Sequence, residues 1–140
     1  MTPDGRDPTR QILRCPNGLS IQAAPGTHYR PADQPPDTMR LDDGALLLDL
    51  ESGDRTKTFQ ILTPLAIASV RGTRWAMEVR PGQTSTFVIE GTVVVQRPGE
   101  KIGVVVGPGE GVDVTPATAP LRVSRWGAAR VKALMARFGQ

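Results

Sequence analysis

Residues 61–95 read ILTPLAIASVRGTRWAMEVRPGQTSTFVIEGTVVV, and this stretch decides the fold. It holds two apolar runs, each closed by a Gly-Thr pair and each followed at once by another strand-like segment. In the segment that follows Gly72-Thr73, the larger apolar residues Trp75, Met77 and Val79 occupy every second position. Such alternation is typical of a half-buried strand, and glycine between two such runs marks a turn or a bulge. The stretch therefore predicts a β-meander at the hydrophobic centre of the domain.

Strand-like segments recur along the rest of the chain about every 8–12 residues, with turn signals between them, the spacing of a sandwich, a barrel or a solenoid. Together with the abundance of Gly (15) and Pro (13), this predicts an all-β fold, either a two-layer β-sandwich or a short β-solenoid of many short strands. Residues 45–50, ALLLDL, are apolar on both faces until Asp49, so we expect this run to lie between the sheet and another layer. Asp42-Asp43-Gly44, just before them, are expected to form a turn.

The C-terminal end has a helical period instead. Val131, Leu134, Met135 and Phe138 follow helical spacing, and Gly139 stands where a C-cap is expected. We predict one α-helix near residues 126–138 whose apolar stripe packs on the sheet or covers an edge strand. The predicted organisation is then a flexible N-terminal arm at 1–10, a β-domain at 11–125 with its motif core at 45–115, and a capping helix at 126–140.

The net charge of +3 is unevenly placed, because residues 121–140 hold five basic side chains and no acidic one. Four of them are candidate partner-binding residues: Arg125, Arg130, Lys132 and Arg137. If the apolar stripe of the helix faces the sheet, Arg130, Lys132 and Arg137 should point outward as a basic rim. Such a rim would suit an acidic protein surface or an anionic envelope polymer.

The alternation along the strand-like segments also predicts the core. We expect the following side chains to point mostly inward: Trp75, Met77, Val79, Phe87, Ile89, Val93, Val95, Ile102, Val104, Val112 and Val114.

The sequence lacks the residues that most enzyme and metal sites need. It has one histidine, His28, and one cysteine, Cys15, so a zinc site or a Ser-His-Asp triad is not expected, and no disulfide can form within the chain. The segment GPGEG at 107–111 includes a proline and leads into a strand-like run, which favours a plain turn over a phosphate loop. We therefore expect no catalytic residue, no metal and no cofactor.

Export and membrane signals are also missing from the sequence as it stands. No apolar run approaches the roughly 20 residues needed to span a bilayer. The N-terminal segment MTPDGRDPTRQ has no apolar centre of the kind found in signal peptides.

Several residues of the central stretch resemble one known motif in order and spacing. The segments TPLAIASVRGT, VIEGTV and GPGE resemble the FecR domain, named for the iron-dicitrate sensor that regulates a sigma factor. The matching residues are Thr63, Pro64, Ala66, Ala68, Val70, Arg71, Gly72, Thr73, Glu90, Gly91, Val93, Gly109 and Glu110.

The resemblance implies an all-β, non-enzymatic module that is periplasmic or extracellular and that takes part in protein interaction or signalling at the cell envelope. The motif residues are expected to be mainly structural. Gly72 and Gly91 would supply positive φ or close backbone approach, and Arg71 would pair with Glu90 or with turn carbonyls. The alternative, that Arg71 binds a carboxylate ligand, stays open.

Two other function classes remain as alternatives. The basic C-terminal helix would suit a small β-barrel that binds nucleic acid, although Phe59, Trp75 and Phe87 fall at inward positions and not on a stacking surface. A glycan- or peptidoglycan-binding β-module is the other possibility, for which Tyr29 and Trp126 are the candidate contact residues. We expect a protein or an anionic envelope polymer as partner and do not expect nucleic acid.

Overall fold

The computed structural model describes residues 2–3, 11–14, 19–31, 38–50, 59–70, 73–116 and 120–139. These residues form thirteen strands and one helix. In chain order they are β1 (Thr2–Pro3), β2 (Gln11–Arg14), β3 (Leu19–Ala23), β4 (His28–Pro31), β5 (Thr38–Leu50), β6 (Phe59–Leu62), β7 (Ile67–Val70), β8 (Arg74–Arg80), β9 (Gln83–Glu90), β10 (Val93–Gln96), β11 (Val104–Val106), β12 (Glu110–Val114), β13 (Val123–Arg125) and α1 (Ala128–Ala136). The all-β class and the C-terminal helix are thus confirmed.

The long strand β5 joins the two halves of the sheet. Its first part pairs with β4 on one side and, in parallel, with β6 on the other. Its last part pairs with β3 and β8, both antiparallel. From β5 the strand order runs through β6, β7 and β10 to β11 in one direction, and through β8, β9 and β12 to β13 in the other.

The sheet curls until β11 lies close to β12 and β13, so it is nearly closed and barrel-like. It is not clearly the two-layer sandwich that we expected, because one bent strand runs through both halves. Nor does it match a solenoid, whose coils stack in chain order, since most neighbouring strands here are antiparallel and several are far apart in sequence.

The bend in β5 lies at Gly44, where the turn predicted at Asp42-Asp43-Gly44 is wrong. These residues continue the strand, and Gly44 has φ +103°, a conformation that side chains rarely adopt. A Cβ on Gly44 would also lie 2.4 Å from the hydroxyl oxygen of Thr27. That hydroxyl accepts a hydrogen bond from the N–H of Ala45 at 3.1 Å, so Thr27 holds the bend in place.

The buried side chains form two clusters, one on each face of the central strands. The main cluster lies inside the curled sheet and includes Leu46, Leu48, Trp75 and Met77. The second cluster lies on the outer face, under α1. Its members are Ala24, Ala45, Leu47, Ala76, Phe87, Trp126, Leu134 and Phe138. Residues 45–48 therefore lie between two layers, as their apolar pattern predicted, whereas Asp49 is exposed and Leu50 is half-buried.

Most of the predicted core is buried, with a few differences in place and degree. Phe87 is buried in the cluster under α1, whereas its neighbour Val88 faces the main cluster. Ile89 and Val104 are half-buried. Ile102 was wrongly placed in the core, because it precedes β11 in the connection from β10 and is 83% exposed.

Of the predicted arm at 1–10, the structure describes Thr2–Pro3, which pairs with β2. The flexibility of the arm stays a prediction, because its other residues lie outside the described ones.

Candidate partner-binding site

Helix α1 crosses the outer face of the sheet over β12, β9, β8 and β3. Leu134 and Phe138 are buried against Ala76 and Phe87, while Val131 and Met135 are half-buried beside them. The carbonyl oxygen of Phe138 accepts a hydrogen bond from the side-chain amide of Gln22 at 2.6 Å. The apolar stripe of α1 therefore docks on the domain, as the sequence predicted.

Trp126 fixes the start of the helix. Its ring stacks on Phe87 with 5.1 Å between the centroids, and the guanidinium of Arg130 lies 3.6 Å from the Trp126 ring centre on a cation–π contact. Gly111 lies beneath, where a Cβ would be 2.2 Å from the indole Nε1. With 8% of its surface exposed, Trp126 is not the open platform that glycan binding would require.

Two ion pairs close one flank of the helix. Glu78, on β8, accepts hydrogen bonds from Arg137 at 2.6 Å and from Arg80 at 2.7 Å. Burial raises the pKa of Glu78, but the two arginines outweigh that effect and hold its pKa below the ordinary value. The carboxylate therefore stays ionised beneath the end of α1.

Asp113, on β12, makes the second ion pair. It bonds to Arg130 and accepts a hydrogen bond from the hydroxyl of Ser85 at 2.6 Å. Burial again raises the pKa of the carboxyl group, and the bonds from Arg130 and Ser85 lower it below the ordinary value.

Because of these ion pairs, the predicted basic rim of the helix is wrong for two of its three residues. Arg130 and Arg137 are paired with Asp113 and Glu78 on the sheet, although Arg130 is exposed, as are Arg125 and Lys132. A role in partner binding for these four residues stays a prediction. Sequence reasoning missed Glu78 and Asp113 as counter-ions. The sequence signal that could have identified Glu78 as a counter-ion is its place as an acidic residue within the alternating apolar residues of β8.

The opposite flank of α1 is an open groove of about 360 Å³ between the helix and strands β8 and β9. Phe87, Ile89, Val131 and Met135 supply its apolar walls. Arg74 also lines it, and the Nε atom of Arg74 is buried without a hydrogen-bond partner. Arg74 could not be identified from the sequence, because nothing in the local pattern shows that a helix covers this side of β8.

The Thr-Pro part of the resemblance forms a tight turn between β6 and β7. Thr63 is buried, and its hydroxyl accepts a hydrogen bond from the N–H of Ala66 at 3.0 Å and lies 3.1 Å from the hydroxyl of Thr84. Pro64 is exposed at the tip of the turn, and Val70 is buried at the end of β7.

The two Gly-Thr segments lie side by side. The hydroxyl of Thr73 donates a hydrogen bond to the carbonyl oxygen of Thr92 at 3.0 Å, and Gly91 has φ +85°. Glu90 is exposed and is the cross-strand neighbour of Arg74. Arg71 and Gly72 lie outside the described residues, so the predicted pairing of Arg71 with Glu90 is not tested.

The Gly-Glu part of the resemblance closes the turn between β11 and β12. The carboxylate of Glu110 accepts a hydrogen bond from the N–H of Gly107 at 2.8 Å, and Gly109 has φ +78°. The N–H of Gly109 donates to the carbonyl oxygen of Val88 at 2.9 Å, which ties this turn to β9.

Two further surfaces are open. A cleft of about 370 Å³ lies at the end of the sheet beside the Thr63 turn, lined by Pro64, Leu65 and the hairpin at Pro81-Gly82 among others. The hairpin of β10 and β11 exposes three apolar side chains: Val94, Ile102 and Val105.

Within the described part of the chain, no group of three His, Cys, Asp or Glu side chains is arranged to hold a metal ion. None of the described helical residues forms a helix both long enough and apolar enough to cross a membrane.

A model of the family described as FecR protein matches residues 7–94, which is more than half of the chain. No curated protein sequence matches significantly. Two crystal structures of a candidate anti-sigma factor from Parabacteroides distasonis, at 1.65 and 2.50 Å resolution, share the fold with a TM-score of 0.72 each. Their identities are 18% and 19%, and the alignments cover 96% and 90% of this chain but 65% and 60% of theirs. The chain thus spans less than two thirds of the length of these structures.

Proposed function

The chain belongs to the FecR family, and on that premise we propose that it is a non-enzymatic domain that binds a protein partner in signalling at the cell envelope, outside the cytoplasm. The observation that carries the proposal is the family match over residues 7–94. The candidate anti-sigma factors that share the fold supply the type of process, which is the regulation of transcription through a protein contact.

The side chains with shifted pKa values support a binding role over a catalytic one. Shifted carboxyl groups occur in active sites and in structural ion pairs alike. Here Glu78 and Asp113 are each held by arginines that also fix α1, and both pKa values move downward. An ionised carboxylate with its arginine in place is suited to holding the helix and poorly suited to giving or taking a proton near neutral pH.

Nucleic-acid binding is the weaker alternative on these contacts. Of the basic residues that supported it, Arg130 and Arg137 are paired with carboxylates, which cancels much of the field that a phosphate backbone would meet. Phe59, Trp75 and Phe87 are buried and offer no face for base stacking.

Site-specific crosslinking in the native host tests the proposal. A photo-crosslinking amino acid at Val105, in the exposed hairpin, and one at Lys132, on the exposed side of α1, should each capture a defined protein. Deletion of the gene should change the transcription of a specific set of genes. If no position yields a protein adduct and the deletion leaves transcription unchanged, the proposal is wrong.

The compartment can be tested in the same strain. Lys132→Cys in a Cys15→Ala background places one thiol on the exposed side of α1. A membrane-impermeant maleimide should label it in cells whose outer membrane alone is opened. Labelling that requires lysis of the inner membrane would contradict placement outside the cytoplasm.

A further inference from the structure

We infer that the groove beside α1 is a docking site for a polypeptide segment of a partner that carries a carboxylate next to an apolar side chain. This inference deepens the proposed function, because it states where the partner binds and what chemistry the partner presents. The groove is the one bounded by Arg74, Phe87, Ile89, Val131 and Met135.

The two flanks of α1 differ in a way that singles out the groove. On one flank, Arg130 and Arg137 reach down to Asp113 and Glu78, so each charge that approaches the sheet has a counter-ion. On the other flank, Val131 and Met135 pack against the cluster under α1 but are only half-buried, and a cavity of about 360 Å³ opens beside them. The ionic contacts of the helix thus lie on one flank, and the open apolar surface lies on the other.

Arg74 supplies the charge argument. Its Nε is buried without a partner, and the side chain of Arg74 forms no hydrogen bond or ion pair with the residues that the structure describes. Its cross-strand neighbours Asp49 and Glu90 are both acidic, yet both are exposed and neither is bonded to it. Arg74 lines the groove and its guanidinium has no counter-ion among the described residues, so a carboxylate that enters the groove would form a charge-assisted bond with it.

The apolar walls of the groove determine the second feature of the ligand, which is an apolar side chain. Ile89, Val131 and Met135 are each half-buried around the opening, and methionine adapts to different apolar shapes. A binding site of this kind takes an apolar side chain for affinity and one charged contact for orientation. An aliphatic residue beside an aspartate, a glutamate or a chain-terminal carboxylate presents that combination.

Methyl NMR on the purified chain tests the inference with simple probes. N-acetyl-leucine, which carries the apolar side chain and the carboxylate, should shift the methyl signals of Met135 and Val131 on titration. N-acetyl-leucinamide has the same side chain without the charge and should bind at least tenfold more weakly. A ten-residue peptide of leucine and glutamate should bind tighter than N-acetyl-leucine. Equal affinity of N-acetyl-leucine and N-acetyl-leucinamide would overturn the role of Arg74.

Matched variants separate the groove from general charge effects. Arg74→Gln should lower the affinity for N-acetyl-leucine at least tenfold and remove the preference over the amide, whereas Arg74→Lys should retain part of it. Arg122→Gln, which removes a charge from an exposed position, should leave both affinities unchanged. If Arg122→Gln weakened binding as much as Arg74→Gln, the groove would not be the site.

The outcomes also separate this inference from the function on which it rests. A peptide that binds no better than N-acetyl-leucine would replace the polypeptide by a small carboxylate ligand and overturn the inference. Crosslinks in the host from Val105 or Lys132 that persist in Arg74→Gln would overturn the groove as the docking site, while the proposed protein-binding function would stand.

Discussion

A Cβ atom placed on Gly111 would lie 2.2 Å from the indole Nε1 of Trp126, so the missing side chain of Gly111 makes the space in which the indole ring lies. Gly111 is in β12 and Trp126 precedes α1, and the two residues meet where the helix begins to cross the sheet. The indole, held between Phe87 and Arg130, thus depends on a glycine fifteen residues earlier in the chain.

Gly111→Ala should therefore destabilise the protein by displacing Trp126. Forcing a methyl group into a packed site costs about 1–3 kcal/mol. The free energy of unfolding from denaturant titration measures the loss, and tryptophan fluorescence should report a more polar environment for the indole. Ser124→Ala, at the cross-strand neighbour of Gly111, is the control and should change stability by less than about 0.5 kcal/mol. The cost of Gly111→Ala should shrink in a Trp126→Leu background, and an undiminished cost would show that the two residues are not coupled.

Substitutions at Phe87 and Ile102 test the observed core against the expected one, because both side chains were expected to be buried and only that of Phe87 is. Phe87→Ala removes a ring that packs under α1 and against Trp126, and it should cost about 3–5 kcal/mol. Ile102→Ala should cost less than about 0.5 kcal/mol, since its side chain is 83% exposed. Thermal or chemical unfolding of the two variants side by side measures both values. A large loss for Ile102→Ala would mean that another copy of the chain or a partner covers the β10–β11 hairpin.

The sequence was enough to predict the strands of the central stretch at 61–95, because alternation and turn residues are local signals. The burial of residues 45–48 on both faces could also be read from their apolar run, and the docking of α1 could be read from its stripe. The closure of the sheet could not, because it depends on the parallel pairing of β5 with β6 and on the bend at Gly44, and neither leaves a distinct local pattern.

The candidate site was harder to predict than the fold. Four basic residues near the C-terminus suggested a charged rim, yet two of them meet carboxylates that lie 17 and 59 residues earlier in the chain. No local pattern pointed to Arg74, since the helix that lies beside it in the groove begins more than fifty residues later. Contacts between distant segments decide which charges are paired, and one sequence contains no direct signal for them.

Gly44→Ala tests the bend in β5. The substitution meets two penalties, a strained backbone at φ +103° and a clash with Thr27, whereas Gly82→Ala at φ +78° meets the strain alone, because nothing lies within 4 Å of the added methyl. The strain costs about 1–2 kcal/mol in each variant, and the clash should add about 1–3 kcal/mol for Gly44→Ala. Unfolding free energies measure the difference. Equal losses in the two variants would show that the contact between Thr27 and Gly44 is not needed for the bend.

Glu78 links the stability of the protein to pH through α1. Its carboxylate is hydrogen-bonded to Arg137 and Arg80, and bonds to charged groups contribute about 1.5–3 kcal/mol each. Glu78→Gln should therefore lower the unfolding free energy at pH 7 by about 1–3 kcal/mol. Glu100→Gln, an exposed carboxylate elsewhere, should change it by less than about 0.5 kcal/mol.

The pH dependence of that difference gives the sharper test. Because the pKa of Glu78 is lower in the folded state than its ordinary value of 4.5, the unfolded chain takes up the proton more readily. The stabilisation is then fully present above pH 4.5 and is lost as the pH falls through the folded pKa. The gap in stability between the wild-type protein and Glu78→Gln should therefore be constant near neutral pH and narrow below pH 4.5. A gap that stays constant down to about pH 3, well below the ordinary pKa of 4.5, would mean that the ionised carboxylate of Glu78 does not hold the end of α1.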